Sequence, residues 1–229
     1  MAVHSIRSIA ELEIGIILAA ERYDPRRASI MSGTQLRNAV TLESIVDVSR
    51  TIINAKSCLT EETIVLDTSN AQEGILINRK PATPSSAIGS AKKVIEPRDV
   101  IISRLRPYLR QVAYVDHQLP YWTKNKGIAC SSEFFVLRSR NEQSIAFLVP
   151  FLLSDPVQQI LAASQEGGHH PRFNEETLLS LNIPEKLIEI RNTTSLRVED
   201  AIHEFRKSES AISAAVDSAK EAMNRDLVS

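Results

Sequence analysis

The sequence predicts an α+β domain with a twisted mixed/antiparallel sheet and packed helices, followed by a long coiled-coil helix. Three observations carry this. Short alternating apolar runs separated by turn residues fill the middle of the chain. Helical periodicity takes over near Ile145. A tail free of proline and glycine then repeats its apolar residues in heptads. The 229 residues are 43% hydrophobic and 24% charged with a net charge of −1, a profile that excludes a disordered chain. No stretch approaches the roughly 18 uncharged apolar residues of a membrane span. The N-terminus lacks the basic start and small-residue cleavage site of a signal peptide. Cys58 and Cys130 are too few for a disulfide framework and lack metal-ligand spacing. These features predict a soluble, cytoplasmic protein with no membrane partner and no metal.

Each element follows in order. Residues 5–21 are apolar at mixed spacing, compatible with a helix or a strand, and Tyr23-Asp24-Pro25 closes them in a turn. Thr34 can cap a short helix through Val40, followed by the apolar-periodic Leu42, Ile45, Val46 and Val48. Residues 63–66 read as a strand with its turn at Thr68-Ser69-Asn70, and residues 80–90 as a loop. The clearest strands are 99–105, broken by Arg106-Pro107, then 111–115, then 132–138. Ile145, Phe147, Leu148, Phe151, Leu152 and Leu153 predict a buried helix with a possible kink at Pro150, and residues 157–163 a second. After a turn at 167–172, Asn174 caps a short helix with Glu176 in its first turn. Ile183-Pro184 ends the globular domain at residue 184, leaving 185–229 as a coiled-coil helix.

In that tail Val198, Ile202, Phe205, Glu209, Ile212, Val216, Ala219 and Met223 form a seam with steps of 4 and 3, spanning about 38 Å. A lone amphipathic helix would leave this stripe wet. It must pack on its own domain, on an N-terminal helix, or on a second chain. The length and narrowness of the seam favour a partner helix, and Glu209 would set register or meet a basic group.

Charge is uneven. From Gly74 to Lys126 ten basic residues face only Glu96, Asp99 and Asp116, a net +7, whereas 185–229 carries seven basic and nine acidic residues, a net −2. The basic segment is either a solvated surface or an electrostatic footprint for a polyanion. In the second case Arg79, Lys80, Lys92 and Lys93 suit phosphate contacts, and Arg106 and Arg110 flank a turn that can enter a groove. The loop of Tyr121, Trp122, Lys124, Asn125 and Lys126 mixes aromatic and basic groups, with Asn125 suited to adenine and arginine to guanine. The aromatic pair can equally be half-buried sheet cover. Arg104, at a strand end, suits a structural ion pair. Cys130, His169 and His170 do not make a nucleophilic or metal site, because adjacent histidines diverge and no carboxylate sits at ligand spacing. No phosphate-cradling glycine loop, H-E-x-x-H or G-x-S-x-G motif is present, so the chain is read as a non-catalytic protein.

Residues 22–25, 97–113, 131–138 and 168–174, taken in that order, resemble motifs of the specificity subunits of type I restriction-modification systems. Residues 97–113 (Pro-Arg-Asp-Val-Ile-Ile-Ser-Arg-Leu-Arg-Pro-Tyr-Leu-Arg-Gln-Val-Ala) are similar to that family's "G-D-I-L-I-S-R-x-R-P-x-L-x-K-V-A" strand pair. Residues 131–138 (Ser-Ser-Glu-Phe-Phe-Val-Leu-Arg) resemble its "S-T-E-F-x-V-L-R" strand, and residues 168–174 (Gly-His-His-Pro-Arg-Phe-Asn) its "G-x-x-x-P-R-I-N" turn. Arg22-Tyr23-Asp24-Pro25 is similar to the "R-L-D-A/P" start of the domain. After Ile183-Pro184 the chain departs from the usual "P-L-x-E-Q".

The resemblance implies a target-recognition domain followed by a spacer helix, in a half-length version with one domain where the family typically has two. It adds His169, His170 and Arg172 to the candidate DNA-binding residues. Implied partners are double-stranded DNA, a DNA methyltransferase subunit acting at adenine N6, a restriction or translocase subunit, and a second copy through the C-terminal helix. The chain would need no cofactor of its own; S-adenosylmethionine and ATP with Mg would belong to the partners. The competing reading is a non-catalytic coiled-coil adaptor in a phage-defence or modification complex, without DNA specificity of its own.

Overall fold

The computed structural model describes residues 6, 8, 39–54, 56, 60–77, 81–118, 126–167 and 170–228, with side chains through residue 224. Its strands are β1 (Val40–Thr41), β2 (Val46–Val48), β3 (Ile52–Ile53), β4 (Glu62–Leu66), β5 (Ala71–Gln72), β6 (Ile75–Leu76) and β7 (Thr83–Pro84). They continue as β8 (Lys92–Val94), β9 (Val100–Ser103), β10 (Val112–Tyr114), β11 (Gly127–Cys130), β12 (Phe134–Ser139) and β13 (Asn182–Ile183). The helices are α1 (Leu148–Leu153), α2 (Asp155–Ala163), α3 (Glu175–Leu179), α4 (Glu185–Glu189) and α5 (Arg191–Val228).

Period-two alternation explains the centre. The order β10-β9-β12-β2 makes a four-stranded antiparallel sheet. Val100, Ile102, Val112, Tyr114, Phe135 and Leu137 point from it into a core shared with Phe147, Leu148, Phe151, Leu152 and Leu161 of the helical side. The alternate residues Ile101, Ala113, Val115, Phe134 and Val136 fill a second core with Ile64, Leu66, Leu76, Ile95 and Cys130. The second core lies against a five-stranded sheet ordered β3-β8-β11-β4-β7, antiparallel except for β11 on β4. Both faces of the central sheet are therefore buried, which is why its strands read as near-continuous apolar runs. Small pairs β1–β13 and β5–β6 complete the sheets. Gly74 serves β10 from the side: it accepts from Tyr114 N and donates to Val112 O, at φ 109° with only 3.0 Å between an added Cβ and Val149 Cγ1.

The mixed α+β architecture and the long tail helix agree with the sequence. Several local expectations change. One expected sheet is two packed sheets. Val40 lies in β1 and Val46 and Val48 in β2, not on a helical face, because short runs carry too few residues to fix a period. Strand β11 had no counterpart in the sequence reading. Pro150 falls in the first turn of α1, where its missing N–H costs nothing, so no kink follows. Asn174 caps α3, accepting from Thr177 N at 2.8 Å.

Helix α5 begins inside the domain rather than after it. Ile202, 4% exposed, belongs to the helix-side core, and Val198 packs on that core. A polar row fastens the same face. Tyr114 Oη and Ser144 Oγ both donate to Glu199 Oε1, at 2.8 and 2.5 Å. Ser195 Oγ accepts from Phe147 N at 3.1 Å. Burial and the Glu199 carboxylate push the Tyr114 phenol well above its ordinary range, so it stays a donor. Arg206, almost fully buried, donates to Asp116 Oδ2 at 2.9 Å, Leu76 O at 2.7 Å and Glu209 Oε2 at 2.7 Å. Breaking a pair buried this way by removing one partner costs about 3–5 kcal/mol. The basic group expected to meet Glu209 is thus Arg206, one turn earlier on the same helix. Beyond it, residues 210–224 are all exposed.

Candidate nucleic-acid interface

Strand β9 ends at Ser103, and the chain then turns to lie against the segment before α3. Leu105 bridges Arg172, Arg106 N donates to Pro171 O at 3.3 Å, and Phe173 N donates to Arg104 O at 3.2 Å. This pairing draws Arg104, Arg106, His170 and Arg172 to one end of the central sheet. The β11–β12 turn brings Glu133 to the same place, where Arg172 Nη2 donates to Oε1 at 2.7 Å and Nε to Oε2 at 2.9 Å. Arg104 Nε donates to Oε2 at 3.0 Å. Hydrogen bonding from Arg172, then from Arg104, outweighs partial burial and holds the Glu133 carboxyl down to about 2. Two guanidiniums are thus fixed in a fork, each with 38% of its side chain still exposed.

The other candidates divide by geometry. Arg106 adopts a left-handed backbone and makes no side-chain hydrogen bond or ion pair among the described residues. His170 is exposed and contributes its carbonyl to Arg172 Nη1 at 3.0 Å. Arg110 turns away from this end to the Asp155 carboxylate and to Leu153 O. Lys93 is committed inward: its Nζ donates to Phe134 O at 2.6 Å and lies 5.4 Å from the centre of the Phe135 ring. Burial lowers its pKa from the ordinary value. That placement argues against Lys93 as a phosphate contact, whereas its neighbour Lys92 reaches only the exposed Ser90 hydroxyl, at 2.8 Å. Lys126 pairs with Glu62 at 3.2 Å, at the far end of β11 from Lys93. The structure therefore gathers Arg104, Arg106 and Arg172 and separates Arg110 and Lys126 from them. Arg79, Lys80, Tyr121, Trp122, Lys124, Asn125 and His169 lie outside the described residues, as do Cys58 and the 22–25 motif.

Glu133 is the group that sequence reasoning passed over. Its signal was a single acid at the start of an apolar strand, at the position of the glutamate in the "S-T-E-F-x-V-L-R" motif. Arg104 does make the structural ion pair its position suggested. Cys130 is fully buried, and its thiol is pushed up to about 12 by that burial, the behaviour of a small core residue. Among the described residues no three His, Cys, Asp or Glu side chains converge as a metal site, and no helix is long and apolar enough to cross a membrane.

No protein-family model matches the sequence, and no curated protein matches it. Solved structures do match its fold. A chain from work on the complex assembly and conformational transition of the type I R-M system superposes with a TM-score of 0.57 at 22% identity, covering 83% of this chain and 48% of that one. The HsdS subunit from Thermoanaerobacter tengcongensis superposes with a TM-score of 0.53 at 22% identity, covering 81% of this chain and 47% of its own. The protein thus has an HsdS-like α+β fold and spans about half the length of these two chains.

Proposed function

We propose that the chain is a sequence-specific DNA-recognition subunit that directs an adenine-N6 methyltransferase and restriction complex to its target site. The observation that supports this most is the HsdS-like fold over four fifths of the chain, with 83% and 81% covered in the two comparisons. The fork of Arg104 and Arg172, together with Arg106, which has no side-chain partner among the described residues, adds a surface whose charge suits phosphate. In this reading the chain performs no chemistry. Methyl transfer from S-adenosylmethionine and ATP-driven translocation belong to partner subunits, and the protein acts in the cytoplasm. A second copy, joined through the exposed half of α5, supplies the other half of a two-fold recognition element.

The test is a base-resolution map of N6-methyladenine in cells with and without the gene. Loss of methylation at one defined motif is expected, and a palindromic motif would match the two-fold arrangement. An unchanged map, together with no salt-dependent binding of the purified protein to duplex DNA, would replace this reading with that of a protein-only adaptor.

A further inference from the structure

The connection between β9 and β10 is not a two-residue hairpin. Arg106 (φ 49°, ψ 64°) and Arg110 (φ 50°, ψ 39°) both take the left-handed conformation, which L-residues adopt only under local constraint. The single turn Pro107–Leu109 between them is tied at every corner. Leu109 N donates to Arg106 O at 2.9 Å, Arg110 N to Pro107 O at 2.8 Å, and Arg106 N to Pro171 O. Pro107 is buried, and the Arg110 side chain is anchored on Asp155 and Leu153 O.

This rigid frame presents two apolar side chains to solvent, Tyr108 at 63% exposed and Leu109 at 48%. Among the described residues before α4 they are the only adjacent pair of large apolar side chains so exposed. Two side chains are far too little area for a stable protein interface. The surroundings favour a polyanion instead, because the guanidinium of Arg106 has no hydrogen-bond or ion-pair partner among the described residues and the side chains of Arg104 and Arg172 are each 38% exposed close by.

We propose that Tyr108 and Leu109 form a wedge that enters a groove of the duplex and opens one base step, with Arg106 on an adjacent phosphate. Leu109 separates the bases and the Tyr108 ring stacks on the exposed face, so that DNA is bent where the protein grips it. The proposal rests on the DNA-recognition reading and adds a site to it.

The experiment uses the full chain and a duplex carrying the mapped methylation motif, labelled at both ends for energy transfer. The wild type is expected to bind and bend it. The Tyr108→Ser/Leu109→Ser variant keeps the wild-type thermal midpoint, binds roughly tenfold more weakly and leaves the duplex straight. Tyr108→Phe retains binding and bending, since the ring rather than the hydroxyl acts. Full bending and affinity in the double variant would overturn the wedge while leaving DNA recognition standing. Loss on Tyr108→Phe equal to that on the double variant would also overturn it, in favour of a hydroxyl hydrogen bond. A variant that binds and bends DNA normally but no longer captures the methyltransferase subunit would move the turn to a protein contact. If the wild type binds no duplex, the recognition reading itself fails.

Discussion

At the scale of single residues, Glu133 organises more of the basic surface than any cation does. One carboxylate joins the end of β9, through Arg104, to the turn before α3, through Arg172. Because its pKa falls from the ordinary 4.5 to about 2, it contributes stability that is fully present above pH 4.5 and lost as pH drops through about 2. Wild-type melting curves should show this acid-side decline, and Glu133→Gln should flatten it. At neutral pH the same variant leaves two guanidiniums facing each other without a counter-charge. An ion-pair network this exposed is worth about 1 kcal/mol, so a modest fall in the urea midpoint is expected. An unchanged midpoint and an unchanged acid limb would show that the fork is held by backbone pairing alone.

At the scale of elements, the helix seam shows what a periodic sequence can and cannot specify. Ile202 and Ile212 occupy comparable seam positions, yet Ile202 is 4% exposed in the domain core and Ile212 is 66% exposed. Heptad spacing marks the face of a helix that wants cover; it carries no mark of what covers it. Ile202→Ala should therefore cost about 2–5 kcal/mol, and Ile212→Ala should leave the stability of the dilute monomer within about 0.5 kcal/mol. Equal losses in urea titrations would contradict the division of the helix. The same logic explains which strands were legible. Strands β9, β10 and β12 alternate between two cores, and their turns are chemically explicit at Arg106-Pro107 and Asp116. Strand β11 was not legible, since its parallel partner β4 lies far off in sequence and its four residues include a glycine. The arginine cluster was half legible: charge density is written in the composition, but the Glu133 clamp depends on pairing between residues 104–106 and 171–173, which no local pattern announces.

For the whole molecule, the question is how a domain that is closed on itself would engage the second copy proposed above. The domain buries its own apolar faces on both sides of the central sheet, and the proximal part of α5 completes that core down to Arg206. What remains is the stretch 210–224, with Ile212, Val216 and Met223 at 66%, 47% and 65% exposure on one stripe. Folding and assembly should therefore be separable along one helix. Val216→Pro removes a backbone donor and clashes with the carbonyl one turn back, disrupting the distal helix by about 3 kcal/mol, while every contact from Ser195 to Arg206 lies upstream of the damage. In analytical ultracentrifugation the wild type should run as a dimer and Val216→Pro as a monomer, with the same thermal midpoint for the domain at low concentration. Weaker DNA binding would follow in the variant, because one half-site contact replaces two. If Val216→Pro keeps the dimer mass, the copies meet through another surface. If it instead unfolds the domain, the distal helix belongs to the core, and the exposed stripe is no docking face.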